Sequence, residues 1–280
     1  MSNNRIGFMQ GRLSALRDGR IQSFPWDHWQ EEFHVAFQRG FPLMEWTLDQ
    51  ERLYENPLLT ETGRTQISNL SQKYGVEIHS LTGDCFMQAP FWKASGKLRV
   101  SLENDFVHIV KACAALKIFI LVIPLVDHGC LETREQENIL VSFLKSQTQW
   151  LREQKVCIAF ESDFDPDNLA RFIESFDSDV FGINYDIGNS ASFGYNPNKE
   201  MAAYGGRIVN VHIKDRVLGG TTVALGYGNA DFERIFSLLK IHGYKGNYIL
   251  QTARADNDDH VGVLSKYFKM TQHWLSSYES

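Results

Sequence analysis

The chain has 280 residues, of which 43% are hydrophobic and 22% charged, and its net charge at pH 7 is −6. This composition is typical of a soluble globular protein that is long enough to bury a large core. The acidic balance argues against binding to nucleic acid, which needs clustered Lys and Arg. The longest apolar run, residues 118–126, is too short to span a bilayer, and residues 1–10 contain no apolar signal segment. We therefore expect no membrane contact and a cytoplasmic location.

Short apolar segments alternate with longer amphipathic segments along the whole chain. The apolar segments lack a polar face, as expected of parallel strands that are buried on both sides. The predicted strands are residues 5–10, 41–48, 76–81, 118–125, 155–162, 181–187, 208–215 and 246–252. The predicted helices are residues 27–40, 60–74, 97–116, 132–153, 166–175, 198–204, 231–242 and 260–277.

Eight strands, each followed by a helix, leave no room for a second domain. We therefore predict that residues 1–280 form a single (β/α)₈ TIM barrel. An open doubly wound sheet is the alternative, but Gln10-Gly11-Arg12 after the first strand lacks the GxGxxG pattern of many such sheets. Active sites of α/β barrels lie at the carboxyl ends of the strands, so polar residues at these ends are the candidates.

The fifth to eighth predicted strands each end in a residue that is able to bind a metal. These residues are Glu161 in CIAFESD, Asp186 in INYDIGN, His212 in VNVHIKD and Gln251 in YILQTAR. Carboxylate, imidazole and amide ligands suit Mn²⁺, Co²⁺, Zn²⁺ or Mg²⁺ better than a thiolate-binding metal. Each residue alone is equally typical of a hydrogen-bonded polar group, but four in succession favour one divalent metal site.

The segments FESD, NYDIGN, NVHIKD and ALGYGNADFERIFSLLKIHGYKGNYILQ resemble the xylose isomerase-like TIM barrel superfamily. The resemblance is to its sugar-phosphate isomerases and epimerases, including ketopentose-phosphate 3-epimerases and inosose dehydratases. RIGFMQGRL and GFPLMEW are similar to the first two strands of that group. The resemblance implies a small sugar or sugar phosphate as substrate and a metal held by Glu161, Asp186, His212 and position 251. It also implies that the metal polarises a carbonyl and stabilises an enediolate.

Two positions depart from the pattern that the resemblance implies. Gln251 stands where the family has Glu, and Asn189 stands where many members have His. An amide is able to bind a metal through its oxygen but has no useful basicity, which leaves Glu161 as the catalytic base. Inversion at carbon needs a group on each face of the substrate. We therefore expect Gln251 to favour one-base isomerisation or dehydration, unless another acid such as Glu45 lies on the opposite face.

Further polar residues near the strand ends are candidate substrate contacts, and each is also typical of an ordinary hydrogen-bonded or solvated group. Glu45, for example, is equally compatible with a buried ion pair, and the cations are compatible with phosphate binding. The backbone of Gly226-Tyr227-Gly228 suits either a phosphate or a plain tight turn. The predicted substrate contacts are Glu45, His79, Asn189, Lys214, Arg216 and Arg254, and Arg12, Asp84 and His128 also lie near strand ends.

The aromatic tract at residues 83–92 is compatible with a lid over the site or with a partner surface, including a homodimer. Two other functions compete with the isomerase. An apurinic-site endonuclease shares the superfamily but needs more His ligands. A non-catalytic sugar-binding barrel would explain Gln251 in place of the family Glu.

Overall fold

The eight apolar segments pair as parallel strands that close into a barrel in the computed structural model, which describes residues 5–279. The strands in chain order are β1 (Ile6–Met9), β2 (Leu43–Thr47), β3 (Glu77–Thr82), β4 (Ile120–Leu125), β5 (Cys157–Ser162), β6 (Phe181–Asp186), β7 (Ile208–Ile213), β8 (Asp215–Arg216), β9 (Thr222–Val223) and β10 (Asn247–Leu250). The barrel order is β1-β10-β7-β6-β5-β4-β3-β2, and β8 and β9 form a separate antiparallel ribbon. The predicted (β/α)₈ barrel is confirmed.

Helices connect the strands and cover the outside of the barrel. They are α1 (Trp29–Arg39), α2 (Glu61–Tyr74), α3 (Asp84–Gln88), α4 (Gly96–Leu116), α5 (Arg134–Gln154), α6 (Pro166–Ile173), α7 (Ile187–Phe193), α8 (Pro197–Tyr204), α9 (Phe232–Ile241) and α10 (His260–Glu279). Among residues 5–279, no helix combines the length and apolar character that a membrane crossing requires.

Two short helices, α3 and α7, follow their strands directly and were not predicted. Strand β6 was expected to continue to residue 187 but ends at Asp186. The Asp186 side chain accepts a hydrogen bond of 2.8 Å from the backbone N–H of Asn189, which caps α7 and stops the strand. This early turn places Asn189 in α7, where it lines the mouth of the barrel.

The hydrophobic core lies between the strands and the helices. Phe160 of β5 is fully buried and points outward into an aromatic cluster. Its ring centroid lies 5.1 Å from Phe172, 5.2 Å from Phe176 and 6.3 Å from Phe181. Such pairs combine a large buried area with favourable ring geometry, so they fix α6 against β5 and β6.

The aromatic tract at residues 83–92 packs into this core and is not an exposed surface. Phe86, Phe91 and Trp92 are at most 4% exposed. The indole N–H of Trp92 donates to the carbonyl of Gly129 at 3.1 Å. These aromatic groups therefore give no support to the predicted homodimer.

The Phe160 cluster leads to a stability prediction. Replacing Phe160 by Ala should lower the free energy of unfolding by about 3–5 kcal/mol, because it removes buried contacts and leaves a cavity. Phe37 on α1 is 60% exposed, and its replacement by Ala should change that free energy by less than about 0.5 kcal/mol. Urea denaturation followed by circular dichroism measures both, and equal effects would contradict the placement of Phe160 in the core.

Candidate metal centre and active-site cleft

A cleft of about 800 Å³ opens at the carboxyl ends of the barrel strands. Its lining combines carboxylates, amides and two cations with a few apolar side chains. The lining includes Gln22, Asp84, Met87, Asp127, Glu161, Asp163, Asn189, Phe193, Lys214, Arg216 and Gln251. The cleft therefore lies where the sequence placed the active site.

Glu161, which lines this cleft, comes together with the buried residues Asp186 and His212. Each offers one ligand atom, and the three atoms lie within 4.8 Å of one another. All three side chains are buried, at no more than 5% exposure. Two carboxylates and one imidazole fit a divalent cation that prefers oxygen and nitrogen ligands, so the donor set suits a metal.

The imidazole of His212 is oriented by Glu45, which reaches it across the barrel interior from β2. His212 Nε2 lies 2.7 Å from Glu45 Oε1, while Nδ1 lies 3.1 Å from Glu161 Oε2. The remaining positions on the Glu45 carboxylate accept hydrogen bonds from Ser80, Thr82 and Asn210. Glu45 therefore directs Nδ1 towards the carboxylates, as the outer carboxylate of a carboxylate–histidine–metal arrangement does.

The charges of the three groups and of their neighbours shift one another's pKa values. Burial would lower the pKa of His212, but Glu45 and Glu161 outweigh it and raise this pKa to about 10. Burial would raise the pKa of Glu161, but His212 and Lys214 reverse the effect and lower it. Burial raises the pKa of Asp186. Because a metal ligand must be deprotonated, metal binding at Nδ1 would release a proton from His212.

Gln251 is linked to this group through Lys214. The ammonium nitrogen of Lys214 lies 3.1 Å from Asp186 Oδ2, 3.2 Å from Gln251 Oε1 and 3.3 Å from Asn189 Oδ1. The amide oxygen of Gln251 thus already accepts a hydrogen bond from a cation. Lys214 and a metal would compete for Asp186 and for Gln251.

Asn189 and Arg216 also belong to the site. The Asn189 amide donates to Glu161 Oε1 at 2.8 Å and accepts from Arg216 Nη1 at 2.8 Å. The other side of the Arg216 guanidinium donates to the carbonyl of Gly220. Asn189, Lys214 and Arg216 thus line the cleft as expected, but both cations already have internal partners.

Glu45 and Arg254, two other predicted substrate contacts, have internal roles. Glu45 is fully buried with its oxygens occupied, so it does not reach the cleft. The guanidinium of Arg254 donates to the backbone carbonyls of Gly11 and Ser14. Arg12 donates in the same way to the carbonyls of Thr252 and Ile21. The two arginines therefore brace the loop after β1 against the end of β10.

His79 lies near the amino-terminal end of the barrel, away from the cleft. Its Nε2 is 2.7 Å from Glu77 Oε2, and its Nδ1 is 3.3 Å from the amide of Asn247, the first residue of β10. Between Leu43 and Glu45, two steps along β2 correspond to three along β3. This bulge inserts an extra residue into β3 and changes the side-chain alternation there.

The backbone N–H groups of the turn at Gly226-Tyr227-Gly228 are occupied by the side chain of Asp215. The fully buried carboxylate of Asp215 accepts from the backbone N–H groups of Gly226 and Gly228 at 2.9 Å each, and of Ala230 at 3.2 Å. A Cβ at position 228 would lie 2.1 Å from an Asp215 oxygen, so glycine is required there. Of the two expectations for this turn, the structure favours the structural one.

Asp84, which the sequence places near the end of the third strand, lines the cleft together with Gln22, which was not predicted. Gln22 Nε2 donates to Asp84 Oδ2 at 2.7 Å, and Gln251 Nε2 donates to Gln22 Oε1 at 2.8 Å. Asp84 follows β3 directly, which is a signal that the sequence carries. Gln22 lies far into the loop after β1, where no sequence periodicity predicts its position.

The family model described as "Xylose isomerase-like TIM barrel" matches residues 33–269, so the chain belongs to this family. L-ribulose-5-phosphate 3-epimerase UlaE of Escherichia coli O1:K1 / APEC is 25% identical over 249 residues, which cover 85% of this chain and 87% of that protein. A solved structure of L-ribulose 3-epimerase matches with a TM-score of 0.74 at 16% identity and covers 98% and 95% of the two chains. The IOLI protein with a bound zinc atom matches with a TM-score of 0.73 at 16% identity, covering 98% and 99%.

The contact between Glu45 and His212 leads to a prediction about metal affinity. Replacing Glu45 by Gln should weaken Mn²⁺ or Co²⁺ binding about 10- to 100-fold, because the imidazole loses its orienting carboxylate. Glu77→Gln is the matched control, since Glu77 also contacts a histidine but lies away from the cleft. Isothermal titration calorimetry measures both, and unchanged affinity in Glu45→Gln would contradict the orienting role.

The turn held by Asp215 leads to a prediction about stability. Asp215→Ala leaves three backbone N–H groups without their acceptor and should lower the free energy of unfolding by about 3 kcal/mol. Asp231, which is exposed and caps α9 through a single N–H, is the control, with an expected loss of about 1 kcal/mol on replacement by Ala. Urea denaturation separates the two, and a smaller loss for Asp215→Ala than for Asp231→Ala would refute the anchoring role.

Proposed function

We propose that the protein is a divalent-metal-dependent isomerase or epimerase of a small sugar or sugar phosphate, with Glu161 as the catalytic base. The observation that carries this proposal is the buried group of Glu161, Asp186 and His212. Membership of the xylose isomerase-like family supports it. Further support comes from the relative described as an L-ribulose-5-phosphate 3-epimerase.

Glu161, Asp186 and His212 would hold the metal, with the amide oxygen of Gln251 as the fourth ligand once Lys214 releases it. Mn²⁺, Co²⁺, Zn²⁺ and Mg²⁺ all suit such a set. When bound, a divalent cation supplies a Lewis acid that polarises the substrate carbonyl and makes the neighbouring C–H group more acidic. A solved relative of the same fold carries zinc.

The proton is removed by Glu161 in this proposal. Asn184 donates to its Oε2 and Asn189 to its Oε1, each at 2.8 Å, so the carboxylate is held in one orientation. Lys214 and Arg216 carry the positive charges nearest to the incoming substrate and bind its oxygen atoms. Met87 and Phe193 provide apolar surface that excludes water from the sugar.

The test combines metal content with proton exchange. Purified protein incubated with each of the four metals and then dialysed should retain about one ion per chain. In D₂O it should exchange the hydrogen beside the carbonyl of ribulose or xylulose, in D or L form, free or as the 5-phosphate. Glu161→Gln should lower this exchange at least about 100-fold, because the base is lost. The exposed Glu233→Gln is the control and should exchange like the wild type.

Nuclear magnetic resonance follows the exchange, and the outcomes are distinct. Wild-type protein that retains no metal and exchanges no hydrogen contradicts the proposal. Protein that binds metal and sugar without exchange is instead a non-catalytic sugar-binding barrel. Undiminished exchange in Glu161→Gln would show that another group is the base.

A further inference from the structure

Gln251 leaves the cleft without the second carboxylate that inversion at a carbon atom requires. An amide does not take up or release a proton near neutral pH, and a single base acts on one face of the substrate only. Glu45, the alternative acid that the sequence suggests, is fully buried and held by His212, Ser80, Thr82 and Asn210. Inversion would therefore need a second proton-transferring group from elsewhere in the lining.

Asp84 is the buried carboxyl group that lines the cleft from a different wall. Glu161 accepts hydrogen bonds from Asn184 and Asn189 and contacts His212, on the side of the cleft formed by β6, α7 and β7. Asp84 follows β3 and is bonded to the loop after β1, and it is 7% exposed. The other acidic residues of the lining differ from it. Asp127 is exposed at the rim, and Asp163 follows the same strand as Glu161.

Gln22 fixes the orientation of Asp84. The oxygen of the Gln22 amide accepts from Gln251 Nε2 at 2.8 Å and from Arg12 Nη2 at 3.3 Å. Its nitrogen is thereby directed to Asp84 Oδ2, 2.7 Å away. Within residues 5–279 the other oxygen, Oδ1, accepts no hydrogen bond, and Asp84 lines the cleft, so this oxygen is available to a substrate. Gln251 is thus connected to the carboxyl group of Asp84 through one intervening side chain, that of Gln22.

The surroundings of Asp84 favour a group that exists in both protonation states near neutral pH. Burial raises its pKa to about 7, and the negative charges of Asp49 and Glu161 act in the same direction. Gln22 and the more distant Arg12 oppose them. A general acid works best when its pKa lies near the working pH.

We propose that Asp84 is the second proton-transferring residue of the cleft and that the enzyme inverts the carbon next to a ketose carbonyl. This inference rests on the proposed function. Glu161 removes the proton from one face, and the electron pair of the broken C–H bond enters the enediolate. Asp84, as the carboxylic acid, gives a proton to the opposite face, and an electron pair of the enediolate forms the new C–H bond. Exchange with water then returns both residues to their starting states, and the reverse reaction exchanges their roles.

The test uses the metal-loaded protein with the C3 epimers ribulose and xylulose, in D and L forms, free and as 5-phosphates, in D₂O. Wild-type protein should interconvert one pair and exchange the C3 hydrogen of both members. Asp84→Asn should retain exchange with the epimer that Glu161 deprotonates. It should lose at least about 100-fold of the exchange with the other epimer and of the interconversion. Asp256→Asn at an exposed position removes the same charge, and its exchange and interconversion rates should match those of the wild type.

The retained exchange with one epimer shows that Asp84→Asn is folded, and a merely structural role would lower both exchanges alike. Equal loss with both epimers, or interconversion at the wild-type rate, would overturn the assignment of Asp84. Wild-type exchange accompanied by isomerisation without inversion would also overturn it and would leave the proposed function intact. Absence of any exchange by the wild type counts against the proposed function itself.

Discussion

The contact between His212 and Glu45 is the interaction on which the site depends. The two residues are 167 positions apart and lie on β7 and β2, so they meet only when the barrel has closed. Burying an ionised pair costs several kcal/mol per ion unless the remaining polar positions are satisfied. Ser80, Thr82 and Asn210 satisfy them. The same closure that forms the core therefore orients the imidazole, so the barrel and this buried site form together.

The sequence predicted the barrel because buried parallel strands carry a strong local signal. Each strand is a short apolar run, and the left-handed glycines Gly40 and Gly75 end helices where expected. The grouping of Glu161, Asp186 and His212 followed from topology, since the carboxyl ends of neighbouring strands must meet, and metal binding by these residues stays a prediction. Helices α3 and α7 were missed because five and seven residues are too few to show helical periodicity.

The hydrogen-bond partner of each polar residue was much harder to predict than its position along the chain. Arg254 follows its strand as expected, yet its guanidinium turns to backbone carbonyls of another loop. His79 contacts Glu77, two residues before it in β3, and the amide of Asn247 on β10, a pairing that no apolar pattern reports. Gln22 belongs to a long loop whose course is set by tertiary contacts. Such pairings depend on residues distant in sequence, for which one chain alone provides no signal.

Asp215 has a consequence for the anions that the turn at residues 226–230 is able to bind. The Asp215 carboxylate accepts hydrogen bonds from the backbone N–H groups of the turn at residues 226–230. Asp215 belongs to the same connection between β7 and α9 as this turn. A tethered ligand competes at an effective concentration on the order of millimolar or more, without any loss of translational freedom. A free phosphate that approached this turn would have to displace the Asp215 carboxylate from these N–H groups. Under the proposed function, discrimination between phosphorylated and free sugars would therefore fall to Lys214 and Arg216, the two cations that line the cleft.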